Sequence, residues 1–202
     1  VGRFYLAEVA FKQSLNSYVN NLGLETYNHQ KDAIALNPWL DRYHAAFSNT
    51  SLTLANGLAG KKELTDDDKQ NIPKLTQQAI EEAKLATLLY PTNVANWDNL
   101  VRIYSSLMTY AKGADEWAIE SSRQRLALDP LNPQARLNLG GLYLALKQYE
   151  NAEKLFREAI MLKPDFANSY YNLAIVLKNE KKYSDSYAAY QKVLQLIEKG
   201  SE

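Results

Sequence analysis

Few residues of this 202-residue chain have the types and the spacing that catalysis or metal binding requires. There is no cysteine, which excludes disulfides, thiolate nucleophiles and cysteine-ligated metals. The two histidines, His29 and His44, are isolated and lack the short spacing of a zinc-binding pair. No nucleophile stands beside a base in the sequence, and no glycine-rich loop could hold a phosphate. The sequence therefore predicts that this chain is not an enzyme and carries no metal or cofactor.

The acidic side chains are better explained by a role in helix structure than by metal binding or acid–base catalysis. Asp66-Asp67-Asp68 could be a cation site, but the run lacks the alternating acids, the glycine and the distant glutamate of a calcium loop. Directly after Thr65, these acids suit the start of a helix, because the hydroxyl caps backbone N–H groups and negative charge complements the helix dipole. Glu81-Glu82 and the acids from Glu150 to Glu158 have Lys or Arg three or four residues away, which is typical of a solvated helix face.

The composition limits the kinds of partner that this chain could bind. The chain is 46% hydrophobic and 23% charged, as expected of a folded soluble protein. Its 23 Lys and Arg residues equal its 23 Asp and Glu residues, so no basic surplus favours nucleic acid. No apolar run approaches the ~20 residues of a membrane span, so we expect no direct membrane insertion of this segment. Because Val1-Gly2-Arg3 lacks a Met and leads straight into a helical pattern, we expect a piece of a longer protein of undetermined localisation.

One set of polar residues recurs. An Asn precedes a Leu in three similar segments, Trp97-Asp98-Asn99-Leu100, Arg136-Leu137-Asn138-Leu139 and Tyr170-Tyr171-Asn172-Leu173. An amide both donates and accepts hydrogen bonds, so a row of asparagines could pair with the backbone of an extended peptide without reading its sequence. The alternative is that each Asn bonds locally between helices.

These segments belong to a repeat whose period is 34 residues. Leu139 and Leu173 are 34 residues apart, and so are Phe156 and Tyr190. The same shift relates four further pairs, which are Gly140 and Ala174, Tyr149 and Tyr183, Ala159 and Val193, and Leu162 and Leu196. A fixed period of this size is typical of stacked helix pairs.

The repeat resembles the tetratricopeptide repeat (TPR) family. The pattern L-G-x2-Y falls at Leu139, Gly140 and Tyr143, and it is followed by the family's later positions at Ala152, Phe156, Ala159 and Pro164. The resemblance implies an all-α, TPR-type solenoid of about five antiparallel helix pairs. It also implies a scaffold that binds a protein or peptide in a groove lined by the first helix of each pair.

The repeat pattern predicts a single TPR array over 1–202. The pattern is clear over 94–197, and over 3–93 it is degenerate, with an insertion near 57–71. His44 falls where Trp97 falls in a later repeat, which predicts a packing role for this histidine. The five predicted pairs are 3–20 with 24–36, 40–59 with 66–90, 93–110 with 115–129, 133–147 with 149–163, and 167–181 with 183–198.

The resemblance also indicates which residues would contact a partner in the groove. They are Asp98, Asn99, Arg102, Gln134, Asn138, Asn168, Tyr171, Asn172 and Lys178. The family's clamp for chaperone C-termini needs Lys, Asn and Arg at set groove positions. Those positions are largely Leu137, Gly141 and Ile175 here, so we expect no chaperone clamp.

Two further expectations concern context. The segments RFYLAEVAFKQSL, AIALNPWLDRYH, ANWDNLVRIY and GADEWAI are similar to TPR segments of bacterial O-antigen ligase or polymerase proteins, which implies an appendage of a membrane glycan enzyme as an alternative function. We expect the array to stop at Gly200-Ser201-Glu202 without a polar capping helix. Because repeat arrays need a covered terminal face, we expect self-association through the C-terminal helix pair.

Overall fold

The computed structural model describes residues 2–200, and the side chains of residues 2–198. The described residues form ten helices and no strand. The helices are α1 (Gly2–Val19), α2 (Gly23–Leu36), α3 (Asp41–Ala59), α4 (Asp66–Leu89), α5 (Val94–Leu107), α6 (Ala114–Leu128), α7 (Pro133–Ala145), α8 (Tyr149–Leu162), α9 (Ala167–Asn179) and α10 (Tyr183–Gly200). The predicted all-α class and the ten predicted helices are confirmed. Val1, Ser201 and Glu202, on which the expectations about the chain's two ends partly rest, lie outside the described residues.

The chain divides into two compact units, Val1–Leu107 and Met108–Glu202. Unit 1 contains α1 to α5, and unit 2 contains α6 to α10. The boundary falls between α5 and α6, which the sequence predicts to be one helix pair. The expected single array over 1–202 therefore stays a prediction, and the units are described separately.

In unit 1, α1 packs against α2 and α3 packs against α4, while α2 contacts α3 and α4 contacts α5. Small residues such as Ala7 and Ala33 let the helices approach closely, and Tyr43 fills the space beside them. Buried polar groups also join the helices of this unit. Asn96 donates from Nδ2 to Asp41 Oδ2 at 2.8 Å and so links α5 to α3.

Unit 2 is built around large apolar residues. Phe156 is fully buried, and Tyr143, Leu173 and Leu177 belong to the same cluster. Helices α7 and α8 pack as one pair and α9 and α10 as another, with α8 in contact with α9. Gly140 of α7 explains how closely α7 and α8 approach, because a Cβ at this position would lie 2.6 Å from Cε1 of Phe156. No L side chain fits at this distance unless the ring moves.

Three of the helix pairs are joined by the same turn. Asn21, Lys147 and Lys181 have φ of 58°, 58° and 63°, in the left-handed region. The amide that follows each of these residues donates to a carbonyl five residues earlier, as Gln148 does to Tyr143 at 2.9 Å. This is the Schellman motif, which satisfies the last carbonyls of the first helix. The pair α1–α2 thus has the turn of the later repeats although its sequence departs from their pattern.

A second recurring feature is a hydrogen bond at the start of the first helix of a pair. His44 Nε2 lies 2.9 Å from the carbonyl oxygen of Pro38, and Trp97 Nε1 lies 2.7 Å from that of Pro91. Arg136 Nη1 donates to the carbonyl oxygen of Pro130 in the same way. In each case the proline precedes the donor by six residues. The predicted structural equivalence of His44 and Trp97 is therefore confirmed in the geometry.

Candidate functional site

The predicted groove residues of unit 2 lie on α7 and α9, the first helices of two successive pairs. Gln134 and Asn138 are four residues apart on α7, so they share one face of that helix. On α9 the corresponding face carries Asn168, Tyr171 and Lys178. All five side chains are exposed, and α7 and α9 contact each other. We call these two faces, together with Asn172 of α9, the α7/α9 surface.

The asparagines of the α7/α9 surface are already engaged in local hydrogen bonds. Asn138 Oδ1 accepts from Gln134 Nε2 at 2.7 Å, and Asn172 Nδ2 donates to the carbonyl oxygen of Asn168 at 2.8 Å. Asn172 is half-buried. Each amide therefore keeps one group, Nδ2 of Asn138 and Oδ1 of Asn172, without a partner among the described residues. A peptide backbone offers both an acceptor and a donor that match these two groups.

Tyr171 is the largest exposed side chain of this surface. Its ring packs edge-on against that of Tyr190 on α10, with the ring centroids 5.9 Å apart. About half of the residue stays exposed. A partly supported aromatic ring of this kind offers apolar area at a low entropic cost, which suits an anchor for a partner.

In unit 1 the predicted groove residues do not all lie on an exposed face. Asn99 is buried, and its Nδ2 donates to Ser48 Oγ of α3 at 2.8 Å. Its Oδ1 accepts from Arg102 Nη2 at 2.7 Å. Asn99 therefore packs between α3 and α5, which is the alternative that the sequence left open, and it does not belong to an exposed ladder. Asp98 and Arg102 are exposed, and Arg102 is oriented by Asn99.

The acidic run begins a helix, as predicted. Thr65 Oγ1 accepts from the Asp68 amide at 3.1 Å, and Asp68 Oδ2 accepts from the Thr65 amide at 3.1 Å. These reciprocal bonds form a capping box. Lys61 Nζ donates to Asp68 Oδ1 at 2.8 Å, and this bond, together with those to Thr65, lowers the pKa of the Asp68 carboxyl. Both carboxylate oxygens of Asp68 are thus engaged, Oδ2 in the helix cap and Oδ1 with Lys61.

Two further observations on the described residues concern metal binding and membrane insertion. No group of three His, Cys, Asp or Glu side chains among them is arranged to hold a metal ion. None of the helices they form has the length and apolar character needed to cross a membrane.

Comparisons with known proteins agree with the repeat. Residues 133–166 and residues 167–199 each match a family model described as a tetratricopeptide repeat. Comparison with curated proteins finds no match. The matched segments correspond to the helix pairs α7–α8 and α9–α10.

Solved structures of the same fold extend the likeness to nearly the whole chain. A crystal structure of the MamA protein is 15% identical with a TM-score of 0.76 and covers 97% of this chain and 94% of that chain. YrrB, described as a TPR protein with an unusual peptide-binding site, is 11% identical with a TM-score of 0.66 and covers 93% of this chain and 84% of that chain. Pseudomonas aeruginosa pilF is 19% identical with a TM-score of 0.65 and covers 96% of this chain and 78% of that chain. At these identities the likeness shows the fold alone, which is that of a TPR-type helical repeat.

Proposed function

We propose that this chain, which carries tetratricopeptide repeats at residues 133–166 and 167–199, is a non-catalytic scaffold that binds an extended segment of a partner protein at the α7/α9 surface. The observation that carries the proposal is the pair of amide groups without partners, Asn138 Nδ2 and Asn172 Oδ1, on adjacent first helices. The description of YrrB as a TPR protein with a peptide-binding site supports peptide binding as a property that this fold can have.

The free energy of the amide contacts shows which residues must supply most of the binding. Two amide hydrogen bonds contribute about 1–3 kcal/mol in total, whereas a micromolar complex needs roughly 8 kcal/mol. The remaining free energy must come from anchors, for which Tyr171 supplies apolar area and Lys178 supplies charge. We therefore expect the partner segment to carry an apolar and an acidic residue beside a stretch of extended backbone.

The test is a selection from a display library of random 12-residue peptides on the full chain. Selected peptides are then measured by fluorescence anisotropy against the wild type, the double variant Asn138→Ala, Asn172→Ala, and Tyr171→Ala. We expect the double variant to weaken binding about five-fold or more, since each lost amide bond contributes about 0.5–1.5 kcal/mol. Tyr171→Ala should weaken it by a larger factor because it removes an anchor.

Lys154→Ala is the matched control, because Lys154 is exposed on α8, the second helix of its pair. It should leave binding unchanged. Selection of no peptide, or peptides whose affinity is the same for the wild type and all three variants, would contradict the proposal for the α7/α9 surface.

We also propose that α10 supports self-association. Tyr183, Tyr187, Leu194 and Ile197 are exposed, and they follow one another at intervals of four, seven and three residues. Such intervals place all four on one stripe of the helix, as at the seam between two packed helices. A stripe of this kind on a second copy of the chain would be complementary to it.

Sedimentation of the chain over a range of concentrations tests the self-association. The double variant Tyr187→Glu, Leu194→Glu should stay monomeric where the wild type associates. Ala188→Glu adds a charge at an exposed position away from the stripe and should behave as the wild type. A wild type that is monomeric at every concentration would end this part of the proposal. The alternative function, an appendage of a membrane glycan ligase or polymerase, stays a prediction.

A further inference from the structure

The left-handed turns give the helix pairs α1–α2, α7–α8 and α9–α10 a common register. Gln13, Leu139 and Leu173 each lie eight residues before the turn residue of their pair, so they occupy equivalent positions of α1, α7 and α9. Leu139 and Leu173 are buried in the apolar cluster of unit 2, together with residues of the preceding helices such as Leu126 and Leu155. Gln13 is exposed. The corresponding side of α1 is therefore polar where the later first helices are apolar.

A second position of α1 shows the same difference. Asn16 lies five residues before its turn residue, where α7 has Leu142 and α9 has Val176. Val176 is fully buried and Leu142 packs against the same cluster, whereas Asn16 is exposed. Because Gln13 and Asn16 are three residues apart, they share one face, which we call the outer face of α1. Leu6, nearer the start of the helix, is exposed and apolar, but a helix packed across this face would meet both amides.

The exposed stripe of α10 lies where a second helix packs against the next first helix. Tyr187 follows its turn residue by six residues, as Tyr27 does in α1–α2. The ring of Tyr27 packs against that of Phe47 on α3, with the centroids 4.8 Å apart. Phe47 has the position of Leu139, because each lies three residues after the residue that bonds a proline carbonyl. Tyr187 is 65% exposed, so α10 presents an internal packing surface that stays open.

The stripe of α10 and the outer face of α1 do not match each other. If α10 of one copy stacked on α1 of a second copy, as successive repeats stack within the chain, Tyr187 would face Gln13. The amides of Gln13 and Asn16 would then lose water to an apolar stripe, and burial of polar groups in apolar surroundings is unfavourable. Head-to-tail stacking of copies is therefore disfavoured.

Two copies of α10 do match each other. The stripe has its two tyrosines in its first half and its two aliphatic residues in its second half. The outer pair, Tyr183 and Ile197, and the inner pair, Tyr187 and Leu194, are both centred at or beside Tyr190. Antiparallel pairing about a two-fold axis at this point sets the aromatic half of each helix against the aliphatic half of the other. It also opposes the two helix dipoles.

We propose that this chain forms a closed two-fold dimer through α10, and that the polar outer face of α1 prevents copies from stacking head to tail. A two-fold interface occupies the same surface on both copies, so association stops at two, whereas a head-to-tail interface grows into rings or filaments. The proposal rests on the self-association proposed above and adds its geometry and its limit. A closed dimer carries two α7/α9 surfaces, so it holds a partner with two copies of the bound segment by avidity.

Sedimentation velocity over a range of concentrations tests the limit. The wild type should convert from monomer to dimer and form no larger species. The variant Gln13→Leu, Asn16→Val gives α1 the apolar residues of a later repeat, so it should form species larger than a dimer. The matched control, Asn28→Val, Lys31→Leu, makes the same kind of change at the same spacing on exposed positions of α2 and should stop at the dimer. Circular dichroism checks that each variant keeps the helix content of the wild type.

The geometry is tested with spin labels, which can be attached at one chosen position because the chain has no cysteine. Gln191 is exposed and lies beside the proposed two-fold axis. Labels on Gln191→Cys should give one short distance between two copies in double electron–electron resonance, and adding Tyr187→Glu, Leu194→Glu should abolish it. In a head-to-tail stack the labels of neighbouring copies would instead be separated by the length of a whole chain.

The outcomes separate this proposal from the one on which it rests. A wild type that is monomeric at every concentration would refute the self-association itself. Growth beyond the dimer, or a long distance between the Gln191 labels, would leave the self-association standing and overturn the two-fold dimer. If Gln13→Leu, Asn16→Val also stopped at the dimer, the role assigned to the outer face of α1 would be wrong.

Discussion

Nδ1 of His44 lies 2.5 Å from Oε2 of Glu82, in a pair that links α3 to α4. The Nε2 atom of the same ring faces the carbonyl oxygen of Pro38. A carbonyl oxygen can only accept, and an ionised carboxylate can only accept, so both ring nitrogens must donate. These two acceptors favour the protonated ring of His44, whose equivalent in a later repeat is an uncharged tryptophan.

The first prediction concerns the pH dependence of this pair. Burial alone would lower the pKa of His44, but the hydrogen bonds to Glu82 and Pro38 and the charges of Glu82 and Asp41 outweigh it, so the pKa is raised above its ordinary value. A raised folded-state pKa stabilises the fold fully below the unfolded pKa of about 6.5. The stabilisation is lost as pH rises through the higher folded-state pKa.

We expect an NMR titration of the His44 ring to give a pKa above about 6.5, and we expect Glu82→Gln to lower it. Glu82→Gln should also destabilise the chain at pH 6 by about 1.5–3 kcal/mol, the value of a hydrogen bond to a charged group, with less effect at alkaline pH. A wild-type pKa below the ordinary value would show that the ring is neutral in the folded protein.

The second prediction compares two neighbouring glycines of α7. A Cβ at Gly140 would lie 2.6 Å from Phe156, whereas a Cβ at Gly141 meets nothing within 4 Å. Gly141→Ala should therefore stabilise by about 0.5–1 kcal/mol, the helix-propensity gain. Gly140→Ala should destabilise by about 1–2 kcal/mol net, because overpacking costs about 1–3 kcal/mol. Chemical denaturation measures both, and equal effects would contradict the observed approach of α7 and α8.

The third prediction is that Phe156→Ala destabilises by about 3–5 kcal/mol, as expected of a large-to-small change at a fully buried site. Phe156 has no exposed surface and lies at the centre of the cluster of unit 2. Met161→Ala, which removes an exposed apolar side chain of the same helix, serves as the control and should change stability by less than about 0.5 kcal/mol. In the double variant with Gly140→Ala the penalty of the added methyl should vanish, since the ring that it strikes is gone.

The fourth prediction concerns the left-handed turn residues of unit 2. Lys147 and Lys181 adopt positive φ, which costs an L residue roughly 1 kcal/mol and costs glycine nothing. Lys147→Gly and Lys181→Gly should each raise stability by about 0.5–1 kcal/mol. Lys154→Gly, within α8, should lower it by a similar amount. A thermal midpoint lowered by both turn substitutions would show that the lysine side chains contribute more than the backbone strain.

The sequence predicts the helices well because their signals are local and periodic. Thr65 with Asp68, Pro133 and the 34-residue period each specify structure within a few residues or one repeat. The packing role of His44 follows from the same register. The interaction of His44 with Glu82 does not follow from the sequence. Glu82 is 38 residues away, and the sequence does not show which side of α4 faces α3.

The candidate sites were less predictable for a related reason. Asn99, Asn138 and Asn172 each precede a Leu at the same position of the repeat, yet Asn99 is buried and bonded to Ser48 of α3. Sites of this kind depend on which side chains meet across helices, which the sequence pattern does not encode.

The Schellman turns at Asn21, Lys147 and Lys181 also bear on how fast the chain folds. Each turn is closed by hydrogen bonds that span no more than six residues, so a helical hairpin forms without the slow search for distant partners. Loops of this length close in about 10–100 ns, and helical proteins dominated by local contacts fold in microseconds to milliseconds. Synthesis proceeds at only about 5–20 residues per second. A hairpin such as α1–α2 therefore has time to form while the ribosome is still adding the residues of the next helix.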